Sequence, residues 1–166
     1  MIARRKWGVI IMEYNNACFH QELNMIQDCI KRMASNSFIL KGWYVSLVFL
    51  GASILSDKDV NIAYPMLLLL VLTCVFWGLD GFFLKMETLY RWKYEWVIVA
   101  RVKNDTSNFY DLNPYNKEMW KNPVDKAGKL CVMKYVLSKT LLPLYGPGFG
   151  VSAGYFIFKL IKCVFC

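Results

Sequence analysis

Histidine is almost absent from this chain of 166 residues, in which His20 is the only one. The sequence also has no phosphate-binding loop, no HExxH zinc motif and no G-x-S-x-G nucleophile motif. A terminal C-x-x-C lacks the second cysteine pair that would complete the four ligands of a zinc site. We therefore expect neither an enzyme nor a bound metal or cofactor.

Charged residues are just as scarce in the middle of the chain. From Ile62 to Leu84 there is a single charge, that of Asp80. As an α-helix this run is about 34 Å long, which exceeds the ~30 Å of a bilayer hydrocarbon core. The whole chain is 57% hydrophobic, yet 19% of its residues are charged and its net charge is +8. This segregation of charge predicts a small membrane protein with a polar part outside the bilayer.

A second apolar run, residues 38–56, precedes the first and contains one charge, Lys41, near its beginning. It is about 28 Å long as a helix, and a lysine at that position can extend toward the lipid headgroups. Because only a short acidic loop joins the two runs, they must form an antiparallel transmembrane hairpin. Basic residues flank both outer ends of the hairpin, so the positive-inside rule places both flanks in the cytoplasm.

Both spans are predicted to continue as helices beyond the membrane. A heptad seam over residues 19–40, broken only by a serine, runs directly into the first span. It indicates packing against another helix of the same chain or, alternatively, contact between subunits. No glycine or proline interrupts Lys85 to Lys103, where Glu87 and Arg91 form an i,i+4 pair, whereas residues 104–116 are polar and predict a loop.

The last apolar run, residues 141–161, contains four glycines, Pro143 and Pro147, which weaken a regular helix. It is compatible with an interfacial or re-entrant segment, a third span or a buried cytoplasmic segment. The sequence thus predicts an all-α membrane protein in four parts. These are a cytoplasmic amphipathic helix (1–37), a transmembrane hairpin (38–84), a basic cytoplasmic helical region (85–140) and an apolar C-terminal segment (141–166).

Asp80 is the most informative single residue, because a carboxylate inside a span costs about 3 kcal/mol on insertion scales. It lies about 6 Å from the cytoplasmic end of its run. One interpretation places it at the inner mouth of a pore, and the other has it hydrated or paired with Lys85, Lys41 or a tyrosine. Ser46 and Ser53 are further pore candidates, although small residues also allow close helix packing.

Basic residues cluster near the membrane on both predicted helices, interleaved with aromatic side chains. They can serve as a topology signal and as contacts for anionic lipids. Alternatively, they bind the phosphates of a polyanion while the aromatic rings stack on its bases. The phosphate-binding candidates are Arg32, Lys41, Arg91 and Lys93.

Two blocks of the sequence resemble a group of small two-span bacterial membrane proteins. Residues 27–48 carry the pattern R-M-A-x-N-S-F-x-L-K-G-W, and residues 76–97 carry W-x-L-D-x-x-x-L-x-x-E-x-x-Y-R. Ser138, Thr140 and Tyr145 also fit this group. The resemblance covers roughly half of the chain, and the apolar tail departs from a two-span plan.

Members of this group look like the membrane effectors of bacterial anti-phage systems, in particular the channel effector of the Hailong defence system. The resemblance implies that DNA oligomers made by a partner nucleotidyltransferase hold the channel shut until infection. We expect a homo-oligomeric channel, a tetramer, in the bacterial inner membrane, whose basic cytoplasmic vestibule binds a nucleic acid or nucleotide and whose opening depolarises the cell. The alternatives are a non-conducting membrane-anchored interaction protein and a holin-like lysis protein.

Overall fold

The computed structural model describes the backbone of residues 2–55, 61–103, 105–116 and 132–165, and the side chains within 16–53, 61–103, 105–116 and 132–162. These described residues form four α-helices and no strand, which confirms the all-helical prediction. The helices are α1 (Ile2–Leu55), α2 (Ala63–Val102), α3 (Val132–Val136) and α4 (Leu142–Phe165).

The two long helices continue past the predicted membrane boundaries, as expected. α1 has 54 residues and contains no proline, so nothing in its backbone interrupts the hydrogen-bond ladder. α2 has 40 residues and is capped by Asn61, whose side-chain oxygen accepts a hydrogen bond from the Ala63 N–H at 3.1 Å. Pro65 lies in its first turn, where a missing N–H removes no helical hydrogen bond.

The apolar tail is a continuous helix of 24 residues, although it contains Pro147 in its interior. A proline inside a helix removes one N–H donor, and here the helix continues through that loss. Residues 105–116 form turns and irregular backbone, as predicted for this polar segment. Residues 117–131 and the side chains of the terminal C-x-x-C lie outside the described part of the chain.

The chain divides into two compact units, and each long helix contributes to both. We call the first the loop unit; it comprises Met1–Met33 and Met86–Ala127 and includes the segment 105–116. We call the second the hairpin unit; it comprises Ala34–Lys85 and Gly128–Cys166 and includes the predicted hairpin and α4.

The core of the loop unit is built on the predicted heptad seam. Ile26, Cys29, Tyr90 and Val97 are its buried residues. Four further seam positions on α1 pack against them, namely Phe19, Leu23, Ile30 and Met33. The seam therefore packs against α2 of the same chain, in keeping with the first of its two interpretations.

The core of the hairpin unit is small and aromatic, with Tyr44, Leu141 and Tyr145 at its centre. Its helices expose many large apolar side chains, among them Phe38, Phe49 and Phe158. Of the described residues, the helix Ala63–Val102 is long and apolar enough to cross a membrane, and only 17% of its apolar stretch is buried within the chain. The core helix of a soluble protein would be mostly buried, so this exposure supports membrane association.

Candidate functional site

The hairpin unit encloses a charged cluster centred on Asp80. The Asp80 side chain is fully buried on α2. Ser37 and Lys41 approach it from α1, and their spacing of four residues places both on the same face of that helix. Tyr145 approaches from α4. We call these four residues the Asp80 cluster.

The geometry of the Asp80 cluster satisfies both carboxylate oxygens. Lys41 Nζ lies 3.0 Å from Asp80 Oδ1 and 2.8 Å from Oδ2. The Tyr145 hydroxyl donates to Oδ2 at 3.1 Å, and the Ser37 hydroxyl donates to Oδ1. Lys41 also donates to the Ser37 hydroxyl, so α1, α2 and α4 are joined by one hydrogen-bonded network. Within the described part of the chain, no buried side-chain nitrogen or oxygen lacks a partner.

The electrostatics of the cluster are those of a nearly enclosed ion pair. The Asp80 side chain is 0% exposed and the Lys41 side chain is 31% exposed. Solvent therefore reaches part of the lysine side chain and none of the carboxylate. Enclosing two charges costs several kcal/mol per ion unless geometry and extra hydrogen bonds compensate. The hydroxyls of Ser37 and Tyr145 supply those extra hydrogen bonds. The arrangement can hold a charge inside an apolar unit, and it joins the three helices around it.

A second polar contact lies two turns of α2 before Asp80, toward the N-terminus of that helix. The hydroxyls of Tyr44 and Thr73 are 3.2 Å apart, and Thr73 also donates to the Leu69 carbonyl at 2.7 Å. The Tyr44 ring lies 4.7 Å from that of Tyr145, centroid to centroid. Gly148 of α4 packs so closely here that an added Cβ would overlap the Tyr44 hydroxyl.

The structure separates the three pore candidates. Asp80 is buried and paired with Lys41 and a tyrosine. This agrees with the interpretation of Asp80 as a paired carboxylate rather than as the mouth of a pore. Ser46 and Ser53 are exposed, and their hydroxyls donate to carbonyls of their own helix, those of Gly42 and Phe49, at 3.0 Å each. They lie on the face of α1 that points away from the Asp80 cluster.

The four phosphate-binding candidates do not form one cluster within a unit. Lys41 belongs to the hairpin unit and pairs with Asp80. Arg32 and Arg91 are exposed in the loop unit, and Arg91 forms the predicted i,i+4 pair with Glu87 at 2.7 Å. Lys93 is 1% exposed, which encloses it in the core of the same unit.

Lys93 is part of an ion pair that holds the segment 105–116. Its ammonium group lies 3.2 Å from Asp111 Oδ2 and donates to the Asn113 carbonyl at 2.7 Å. Burial lowers the pKa of Lys93, and the hydrogen bond and charge of Asp111 oppose that effect. In this conformation the Lys93 ammonium group binds the segment 105–116 of its own chain rather than a ligand phosphate.

A second buried ion pair in the loop unit was not predicted. Arg101 makes two hydrogen bonds to Glu22, at 2.9 and 2.8 Å, and the Tyr110 N–H donates to the same carboxylate at 3.1 Å. One signal was present in the sequence, because Glu22 lies four residues before Ile26 and so shares its buried face. The partner on α2 is 79 residues away and had no local signal.

Ser37 was also missed as a partner of Asp80, and a tyrosine was expected there without its position. The interruption of the heptad seam by Ser37 was the available signal for the first. In the described residues, no group of three histidine, cysteine or acidic side chains is placed to hold a metal ion. No known protein family, characterised protein or solved structure matches the chain.

Proposed function

We propose that the chain is one subunit of a homo-oligomeric ion channel in a bacterial inner membrane, with the hairpin unit in the bilayer. The observation that carries this proposal is a charged cluster enclosed by three helices that expose many large apolar side chains. Large apolar side chains on that surface are at least half exposed, among them Phe38, Trp43, Phe49, Leu68 and Phe158. Ionisable residues inside membrane segments characteristically face the protein interior and mark ion or proton pathways.

An ion path would have to form between copies, because the three helices pack around Asp80 and Tyr145 and leave no lumen there. We assign the lining of that path to the exposed hydroxyl face of α1, with Ser46 and Ser53. The Asp80 cluster lies on the other side of α1, and it would act on the path by fixing how α1 packs against α2 and α4. We therefore assign the Asp80 cluster to the gate.

The resemblance to anti-phage effectors extends the proposal to the role in the cell. We propose that a nucleic-acid or nucleotide ligand, made by a partner nucleotidyltransferase, controls opening, and that opening depolarises the infected cell. Arg32 and Arg91 are the exposed candidates for its phosphates. Such binding should weaken steeply with salt, because neutralised phosphates release counterions.

The test is the conductance of the purified protein in planar bilayers, recorded with and without single-stranded DNA oligomers. Ser46→Leu and Ser53→Leu should reduce single-channel conductance, because each replaces a lining hydroxyl with a larger apolar group. Val45→Leu, on a neighbouring exposed position of the same helix, is the matched control and should conduct normally. Absence of conductance under every ligand condition would overturn the channel proposal.

Expression in cells separates the channel from the two alternatives, a holin-like lysis protein and a non-conducting membrane anchor. Expression of a channel should collapse the membrane potential reported by a voltage-sensitive dye while cells stay intact. Lysis without prior depolarisation would support the holin-like protein instead. Normal membrane potential at high expression would support a non-conducting membrane anchor.

A further inference from the structure

The last helix of the hairpin unit, α4, runs antiparallel to α2 along their line of contact. The Tyr145 hydroxyl meets Asp80, and one turn later Gly148 meets Thr73, where an added Cβ would lie 3.3 Å from the threonine hydroxyl oxygen. Each step forward along α4 is therefore a step back along α2, toward the N-terminus of α2. A helix that lies in the plane of the membrane surface would cross α2 rather than follow it, so this packing favours a membrane span.

The two contacts fix which residues of α4 are level with the start of α2. Counted from the first contact, the start of α2 at Ala63 is about 26 Å away, and the same rise along α4 leads to Lys162. Counted from the second contact, the rise is about 15 Å and leads to residue 158. α4 therefore reaches the outer end of the proposed hairpin between residues 158 and 162.

The charges of α4 lie only at this far end. Residues 142–158 carry none, whereas Lys159 and Lys162 are charged and exposed. Lys159 Nζ lies 5.9 Å from the centroid of the Tyr155 ring. The rise from the start of α4 to Lys162 is about 30 Å, which matches a bilayer hydrocarbon core. Lysines at the end of a span extend toward the headgroups, and tyrosine rings collect at the same level.

The surface of α4 before these lysines is one that lipid tails can cover. Val151, Ile157 and Phe158 are 61%, 57% and 69% exposed. The neighbouring surface of α2 is similar, with Leu67 and Leu68 at 51% and 54%. The two antiparallel helices thus expose large apolar side chains over the same depth, and the two ammonium groups of α4 mark where that depth ends.

We propose that α4 crosses the bilayer as a third span and that Lys159 and Lys162 bind phospholipid headgroup phosphates at its outer surface. The inference rests on the proposed membrane location of the hairpin unit, and it adds the direction of α4 and the partner of its charged end. The arrangement obeys the positive-inside rule, because six lysines lie in residues 117–139, on the inner side of α4.

The first measurement is the membrane depth of single spin labels in proteoliposomes, with the six native cysteines replaced by serine. Labels at Val151→Cys, Ile157→Cys and Ile161→Cys should become progressively shallower along the helix. The expected difference between the first and the last is about 15 Å, the rise of α4 between them. A uniform shallow depth at all three positions would show an interfacial helix and overturn the third span.

The second measurement is the side from which single cysteines react with an impermeant maleimide. Lys162→Cys should react in spheroplasts, and Thr140→Cys, just before α4, should react only in inverted vesicles. Reaction of Lys162→Cys only in inverted vesicles, or from neither side, would overturn the inference. If Asn61→Cys still reacts in spheroplasts in that case, the hairpin and the channel proposal stand. Reaction of Asn61→Cys only from the inner side would overturn the hairpin and, with it, both proposals.

The third measurement tests the lysines themselves by the depth of the label at Ile161→Cys. Replacing Lys159 and Lys162 by leucine should move this label deeper by about 5 Å, one helical turn, because nothing then holds the end of α4 at the phosphates. Replacing both by arginine keeps the charge and should leave the depth unchanged. An unchanged depth in the leucine variant would overturn the contact with headgroup phosphates.

Discussion

Burial makes Asp80 dependent on the residues around it. An exposed ion pair contributes little because water solvates each partner when the other is removed. Asp80 has no such access, so each of its hydrogen bonds replaces one that water would otherwise make. The neighbouring pair of Glu87 and Arg91 shows the contrast, since the Arg91 side chain is 61% exposed.

Lys41→Met should therefore destabilise the protein far more than Arg91→Met. Removing one partner of a buried pair costs about 3–5 kcal/mol, and the partial exposure of Lys41 places its effect at the lower end. Loss of an exposed i,i+4 pair costs about 0.5 kcal/mol or less. The measurement is the free energy of unfolding in detergent micelles. Asp80→Asn added to Lys41→Met should recover part of the lost stability. Equal losses in Lys41→Met and Arg91→Met would contradict the buried character of the Lys41–Asp80 pair.

Asp111 makes the loop unit sensitive to acid. Burial acts to raise its pKa, but hydrogen bonds from the Asn113 backbone and the Asn116 amide, together with Lys93, lower the pKa below its ordinary value. A carboxyl with a depressed folded-state pKa contributes stability above its unfolded pKa of about 3.9, and that stability is lost as pH falls through the folded-state value.

The unfolding midpoint should accordingly fall as pH is lowered from 5 to about 3. Asp111→Asn should flatten this dependence as well as lower stability at neutral pH, because it leaves Lys93 buried without its carboxylate. Asp28→Asn is the control, since Asp28 is 74% exposed. An unchanged pH profile in Asp111→Asn would show that another group carries the acid sensitivity.

At the scale of elements, α4 is positioned by close backbone approach as much as by side chains. Gly148 faces the paired hydroxyls of Tyr44 and Thr73, and Gly81 of α2 similarly accommodates Val136 of α3. A Cβ at Gly81 would lie 2.6 Å from the Val136 Cγ2. Small residues that permit such approach are typical of helix contacts in membranes.

Gly148→Ala should destabilise the protein by about 1–3 kcal/mol, the usual cost of overpacking a core. Gly154→Ala should be neutral or stabilising by up to ~1 kcal/mol, because its Cβ meets nothing and alanine favours the helix. Thermal unfolding in detergent compares the two variants. Tyr44→Phe should partly rescue Gly148→Ala by removing the overlapping hydroxyl, and equal melting temperatures for the two glycine variants would contradict the close approach.

At the scale of the whole molecule, the two units differ in surface character. The hairpin unit exposes apolar side chains on α1, α2 and α4, whereas the loop unit holds its segment 105–116 with buried ion pairs and exposes Arg32 and Arg91. This difference agrees with the charge distribution of the sequence, in which basic residues flank the predicted hairpin. It leads to a prediction of membrane topology.

Single cysteines at two exposed positions should label from opposite sides of the membrane. In a background without native cysteines, Asn61→Cys should react with an impermeant maleimide in spheroplasts, and Lys103→Cys should react only in inverted vesicles. The reason is the positive-inside rule, which retains the basic flanks in the cytoplasm. Labelling of both positions from the same side would contradict a two-span hairpin.

Much of the helical architecture was predictable, but the end of the chain and the site were not. Pro147 and the glycines of α4 suggested an irregular segment, because their intrinsic preferences oppose a helix. Packing of Tyr145 and Leu141 overrode those preferences. Lys93 was expected to bind a ligand phosphate, and no property of the sequence indicated that Asp111 would enclose it.

The sequence by itself determined the two long helices, the apolar runs and the segregation of charge, because periodicity and hydropathy are properties of neighbouring residues. It also placed Asp80 among apolar residues, where the carboxylate needs water, a pore or a partner. Only the tertiary structure decided that this partner is Lys41, with Ser37 and Tyr145, and that Glu22 pairs with Arg101. Those choices join residues 39 to 79 positions apart, and the distances between them depend on how the helices pack rather than on any local pattern.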